Sequence, residues 1–247
     1  MVEVFSMNTE FTYLNIISDK LDEVYRKNAD NMKAAAERFA ACTMDDHIIH
    51  TFGTGHSCMM GIELFSRAGG LANINAIMDP DTMTAYGSRR SGEMERISGI
   101  ADIIYDNSNI HAGDIMVISS NSGRNAMPIE MALRCKKEGV YTICITSMEM
   151  SKDVKSRHES GKRLFEICDL VLDNCSPVGD FAMTIDGIET GPVSSITSLA
   201  ILDTIVTESV KLMKEKGFTP YVFQSQNSDK ADNVKAYLHY YQRIKNL

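Results

Sequence analysis

The sequence predicts a doubly wound, three-layer α/β/α fold around a mainly parallel five-stranded sheet, preceded by N-terminal helices. Two observations carry that prediction. From His47 onward, short apolar runs of β type alternate with amphipathic helical patterns, and a strand–helix–strand succession places parallel strands side by side under helical layers. Twice, at Gly53-Thr54-Gly55-His56-Ser57 and at Ser119-Ser120-Asn121-Ser122-Gly123-Arg124-Asn125, an apolar run ends in small polar residues just before helical periodicity begins. Such a corner offers free backbone N–H groups and short hydroxyl or amide donors at a helix N-terminus, which is the composition of an anion site. Two of them can meet at neighbouring strand ends, where ligands of open α/β folds bind.

The elements follow in order. From Glu10 to about Ala41, Leu14, Ile17, Leu21 and Val24 recur at helical spacing and Met32, Ala35 and Phe39 resume the stripe. This apolar face either caps its own domain or packs on another subunit, and residues 1–46 are set apart as an N-terminal helical segment from a main domain over 47–247. Strands are expected near Ile48–Phe52, Ile74–Met78, Ile115–Ser119, Tyr141–Ile145 and Leu170–Leu172. Between the third and fourth lies a helix with Asn125 as N-cap, Pro128 in the first turn, a Met127, Met131, Cys135 stripe and Gly139 at the end. The stretch Ser194–Lys216 reads as a long buried helix, and a final helix ends in Arg243-Ile244-Lys245. The segment Asp79–Asn109 is the least regular, either a functional loop or a salt-bridged surface excursion.

Composition excludes several classes. The chain has 247 residues, 44% of them apolar, enough for the core of one large α/β domain. Its net charge of −8 and dispersed Lys and Arg oppose a nucleic-acid surface. Residues Met1–Ser6 lack the basic and apolar stretches of a signal peptide, and no window approaches the ~20 apolar residues of a membrane span, so a cytoplasmic protein without membrane contact is expected. Six scattered cysteines without a C-x-x-C pair read as reduced thiols, and neither they nor the histidines show zinc spacing; His47 and His50 read as structural. No metal and no cofactor is expected. A dinucleotide reading of the first loop is opposed by Cys58, which stands where a third glycine would let helix and strand approach.

The Gly53-x-Gly55-x-Ser57 and Ser120-x-Ser122-Gly123 loops, with the helix and Gly139-Val140 after the second, resemble the SIS (sugar isomerase) domain family, whose fold is flavodoxin-like. The match runs over about residues 47–216. Within the family, the strings at Gly55–Ser57, Arg67–Gly70, Ser120–Asn125 and Arg157–Leu164 are similar to those of a bacterial branch whose wider relatives are phosphoheptose isomerase and N-acetylmuramic acid 6-phosphate etherase. The resemblance implies that Ser57, Ser120 and Ser122 donate to a sugar phosphate, in a site that includes Gly55, His56 and Asn121. The family's usual fourth hydroxyl is Asn125 here, whose amide still donates. Arg124 is a further phosphate candidate, because a guanidinium grips phosphate through two bonds.

Aldose–ketose isomerisation removes a proton α to a carbonyl and returns it to the neighbouring carbon, which needs a base of raised pKa and groups that stabilise the enediolate. Glu63, Glu95 and His158 are the catalytic candidates. Phosphoheptose isomerases carry a catalytic Glu ten residues after the loop Ser, a position held here by Arg67. Glu63, about 240° round the helix from Ser57, either reaches a neighbouring subunit's site or pairs with Arg67. The separation of Glu63 and Glu95 loosely resembles that of the etherase's two acidic residues. The expected function is binding and isomerisation of a phosphorylated sugar; a sugar-phosphate etherase or lyase and a non-catalytic sensor are the alternatives. A homodimer or higher homo-oligomer is expected, since the N-terminal helix supplies spare apolar surface and SIS relatives build sites across subunits.

Overall fold

The computed structural model describes residues 8–247, so the reading of Met1–Ser6 lies outside the described residues. The chain runs from α1 (Thr12–Met44) through β1 (Ile49–Gly53), α2 (Met59–Leu64) and β2 (Ile74–Ala76) to two short helices, α3 (Ser88–Met94) and α4 (Ile100–Asp106). It continues through β3 (Ile115–Ser119), α5 (Ala126–Lys137), β4 (Tyr141–Thr146), α6 (Met148–Asp153) and β5 (Leu170–Asp173). A hairpin of β6 (Phe181–Ile185) and β7 (Ile188–Pro192) precedes α7 (Ser194–Glu215) and α8 (Val234–Tyr240).

The main sheet has five parallel strands in the order β2-β1-β3-β4-β5. Successive side chains of a strand point to opposite faces, and both faces are covered. Ile49, Ile115, Val117, Ile143, Ile145 and Leu172 pack with α1, α2 and α7 on one side. Phe52, Met116, Ile118 and Cys144 pack with α4 and α5 on the other. The sheet order reverses beside β1 and β3, and the two small-residue loops leave the C-terminal ends of these two neighbouring strands.

The helix α1 contributes to this core. It packs along α7 and β5, burying Ile17, Val24, Ala35, Ala36, Phe39 and Ala40, while Leu14, on the expected stripe, is 46% exposed. An edge strand leaves a row of unpaired backbone groups, and α1 meets those of β5 with two asparagines. Asn28 donates to Asp173 O and accepts from Asp173 N, both at 2.8 Å, and Asn31 donates to Val171 O at 2.9 Å.

His50, fully buried in β1, is structural as expected. Its Nε2 lies 3.1 Å from Asp114 Oδ2, and its Nδ1 lies 3.0 Å from Asn75 Nδ2. Asp114 also accepts from the amides of Ile48 and His111 at 3.0 and 2.8 Å. Burial pushes the Asp114 carboxyl up, but these hydrogen bonds and the neighbouring His50 outweigh it and hold the group below the usual carboxylate range.

The last helix ends at Tyr240, short of the expected Arg243–Lys245. Among the described residues no helix is long and apolar enough to cross a membrane.

Candidate functional site

The first loop folds back on the end of its own strand. A Cβ at Gly53 would lie 2.5 Å from Ser57 O, so the close approach requires glycine. Gly55 takes φ +61° and donates its amide to Thr82 O at 2.8 Å, while the Ser57 amide donates to Thr54 O at 3.1 Å. With these two amides committed inside the protein, the loop turns the side chains of His56 and Ser57 to the cavity. His56 is exposed and Ser57 half-buried, both on the wall of one cavity.

The second loop is held from behind. Ser120 Oγ accepts the Gly123 amide at 3.2 Å, which fixes the hydroxyl and leaves its own proton to donate elsewhere. Gly123 takes φ +57°, and a Cβ there would lie 2.9 Å from Ser151 Oγ. Asn121 is anchored through Oδ1, which accepts from Asn174 Nδ2 at 2.9 Å and from Ser176 Oγ at 3.1 Å.

Asn125 stands at the N-cap position of α5, yet its side chain makes no cap hydrogen bond, contrary to expectation. The reason is local. An N-cap side chain accepts from the second or third helical amide; here Met127 N donates to Glu95 O at 3.2 Å, and the third residue, Pro128, has no N–H. The Asn125 amide is thereby released for another task. Its Nδ2 donates to Glu95 Oε1 at 2.7 Å, and its Oδ1 accepts from Arg157 Nη1 at 2.9 Å. Thr54 Oγ1 donates to the other Glu95 oxygen at 2.6 Å. Glu95 thus ties the two loops together, and the irregular segment after β2 is what delivers it.

The loops open onto a cavity of about 780 Å³ at the C-terminal end of the sheet. Its wall includes His56, Ser57, Ser120, Asn121, Ser122, Asn125 and Glu95, with Ile145, Met60 and Met150 as apolar surface. Three further contributors were not predicted. Ser119 Oγ is buried without a hydrogen-bond partner among the described residues, although it stands within the Ser-rich string itself. The start of α7 brings Ser194, Ser195 and Ser198, which a serine-rich helix start could have signalled. Asp180, before the hairpin, caps that helix by accepting from Val193 N, Ser194 N and Ser194 Oγ at 3.1, 2.7 and 2.7 Å. Its carboxylate compensates the positive end of α7. The hairpin has its own signal, Asp186-Gly187 between alternating residues, and both take positive φ.

The remaining candidates lie apart from the cavity lining. Gly55 shapes the first loop from behind. Glu63 pairs with Arg67 at 2.9 Å on the side of α2 that faces α7; there burial and, next, the Glu63 charge push the Asp203 carboxyl up, against the pull of Arg67. His158 is turned away, with Nδ1 at 2.8 Å from Ser160 Oγ and Nε2 at 3.6 Å from Glu130 Oε1. Arg124 follows the loop glycine; its carbonyl accepts from Arg157 N at 2.8 Å, and its own Nε is buried without a partner among the described residues. Of the proposed bases, Glu95 is the one on the cavity wall.

The SIS-domain family model matches residues 12–147. A UPF0309 protein of Geobacillus thermodenitrificans is 40% identical over 222 residues, covering 89% of each chain. One from Caldanaerobacter subterraneus is 35% identical over 242 residues, covering 95% of this chain and 98% of that protein. Among solved structures, the phosphoheptose isomerase of Neisseria gonorrhoeae superposes with a TM-score of 0.54 at 16% identity, over 78% of this chain and 92% of that one. That of Francisella tularensis gives 0.53 at 14% identity, over 81% and 95%. At such identities the likeness is one of fold, whereas the family match and the relatives spanning nine-tenths of the chain establish kinship: this chain belongs to the SIS-domain family, in its UPF0309 group.

Proposed function

We propose that the cavity binds a phosphorylated sugar and that the chain isomerises it by α-proton abstraction, with Glu95 as the base. The observation that carries this reading is the convergence, on one wall, of the Ser57, Ser120 and Ser122 hydroxyls with a carboxylate. Three short donors at the ends of β1 and β3 exceed what helix capping uses, and hydroxyls of this kind hold a phosphate dianion without a large positive field. The remainder of the sugar lies against Met60, Ile145 and Met150, with His56 and Asn125 as polar partners of its oxygens.

In the proposed reaction Glu95 takes the proton from the carbon α to the carbonyl and returns it to the former carbonyl carbon, while a hydroxyl proton passes between the two oxygens. His56 and Asn125 are the groups placed to stabilise the enediolate. A second reading, a sugar-phosphate sensor without turnover, is favoured by one observation: both Glu95 oxygens already accept hydrogen bonds, from Thr54 and Asn125.

Incubation in deuterated water with hexose, heptose and amino-sugar phosphates, followed by NMR, separates the two. The enzyme reading expects deuterium at the carbon next to the carbonyl of at least one ligand, lost in Glu95→Gln while binding persists. Binding of several ligands with neither exchange nor conversion of any would rule out catalysis.

A further inference from the structure

Three arginines gather beside the second loop without a carboxylate of their own. Arg157 donates its backbone amide to Arg124 O at 2.8 Å and its Nη1 to Asn125 Oδ1 at 2.9 Å. Arg96 follows Glu95, whose carbonyl is bonded to Met127 at the start of α5. Arg67, Arg89, Arg90, Arg134, Arg163 and Arg243 each have an ion pair. Arg96, Arg124 and Arg157 have none among the described residues; Arg26 and Arg38 also lack one, but they stand apart from this cluster on α1. Burial and then the charges of Arg124 and Arg96 disfavour the Arg157 cation, with Glu95 as the opposing carboxylate. Glu95 is itself committed to Thr54 and Asn125. The Arg124 Nε is also buried without a hydrogen-bond partner among the described residues, so this guanidinium is incompletely paired.

We propose that Arg96, Arg124 and Arg157 form a second anion subsite adjoining the cavity across Asn125, and that it takes a second negatively charged group of the ligand. The ligand class is then a doubly anionic sugar, a bisphosphate or a phosphorylated sugar acid. Three like charges kept together with a single carboxylate, Glu95, beside them cost stability, and a protein of net charge −8 has no general positive field to which the cluster could be credited. That both charges belong to one ligand follows from adjacency. Asn125 lines the cavity and also carries Arg157, and Ser122 and Arg124 flank the same glycine. Arg96 and Arg157 are exposed, so a ligand seated on the serines can extend its far end over the rim to meet them.

The inference rests on the sugar-phosphate reading, and calorimetry keeps the two apart. The probes are fructose 6-phosphate, fructose 1,6-bisphosphate, 6-phosphogluconate and inorganic phosphate. Wild type is expected to bind a doubly anionic sugar at least about tenfold more tightly than the monophosphate, with a preference that shrinks at high salt. Arg96→Gln/Arg124→Gln/Arg157→Gln should bring that ratio close to one. Arg96→Gln/Arg157→Gln, confined to two exposed side chains, should lower it in the same direction should the triple variant fail to fold. Ser120→Ala/Ser122→Ala should weaken every sugar phosphate and keep the preference. Serine-dependent binding with no preference in wild type overturns the second subsite and leaves the first reading standing. Arginine-dependent binding of inorganic phosphate without a preference among the sugars assigns the cluster to a separate anion and also overturns it. No serine-dependent binding of any probe overturns both.

Discussion

Replacing Glu95 by Ala and by Gln tests the junction on which the site depends. The carboxylate accepts from Thr54 Oγ1 and Asn125 Nδ2, and both residues are almost buried, at 6% and 5% exposure. Alanine strands two buried donors, each costing about 1–3 kcal/mol. Because the threonine hydroxyl can turn to another acceptor, the sum comes to about 2–4 kcal/mol. For a chain of this size each kcal/mol lowers the melting temperature by roughly 2–4 °C, so Glu95→Ala should melt roughly 5–15 °C below wild type. Glutamine keeps an oxygen for Asn125 and turns an NH₂ toward Thr54, whose hydroxyl can accept as well as donate. Its cost should be about 1 kcal/mol. Thermal and urea unfolding of the three proteins measure this directly. An alanine variant as stable as wild type, or a glutamine variant as unstable as alanine, would refute the two hydrogen bonds and with them the argument that Glu95 fastens the loops.

Gly53→Ala places a methyl group 2.5 Å from Ser57 O; the strand end and the loop must separate, so sugar-phosphate affinity should fall together with about 1–3 kcal/mol of stability, read by calorimetry and denaturation. Asp114→Asn should remove the part of the pH dependence that comes from a carboxyl held below its usual value. Such a group stabilises the fold fully above its unfolded pKa of about 3.9 and loses that contribution as pH falls through the folded value. The wild type's advantage over the variant should therefore be constant near neutrality and shrink below about pH 4. An advantage that grows on acidification would show the opposite linkage.

The sheet was legible because its signals are strong and local. β3 and the start of β4 lie where the apolar runs place them, and the two loops fall at adjacent strand ends because Gly53, Gly55 and Gly123 are needed there for close approach and positive φ. What sequence did not disclose depends on contacts distant along the chain. Asn125 carries the signature of a cap, but Pro128 and the Glu95 carbonyl remove the amides it would have served. Glu63, His158 and Glu95 are equally plausible acids or bases as letters. The pairing of Glu63 with Arg67, the turn of His158 toward Ser160 and the docking of residues 79–109 over the loops are what separate them. The start of α7 is not legible as cavity wall because its place is set by packing against α1 and the sheet, far away in sequence.

The serine loops are proposed to hold the phosphate of a sugar. The direct measurement is the rise in melting temperature of wild type and Ser120→Ala/Ser122→Ala with a sugar phosphate and with the same sugar unphosphorylated. Each lost hydrogen bond to a charged group costs about 1.5–3 kcal/mol, so the double variant should bind at least about tenfold more weakly. At a ligand concentration a hundredfold above Kd, binding stabilises the native state by about 2.7 kcal/mol. Wild type should therefore shift clearly with the phosphorylated ligand alone, and the variant should lose about half of that shift or more. Equal shifts with both ligands, or equal responses from both proteins, would contradict the account and reduce the serines to helix caps.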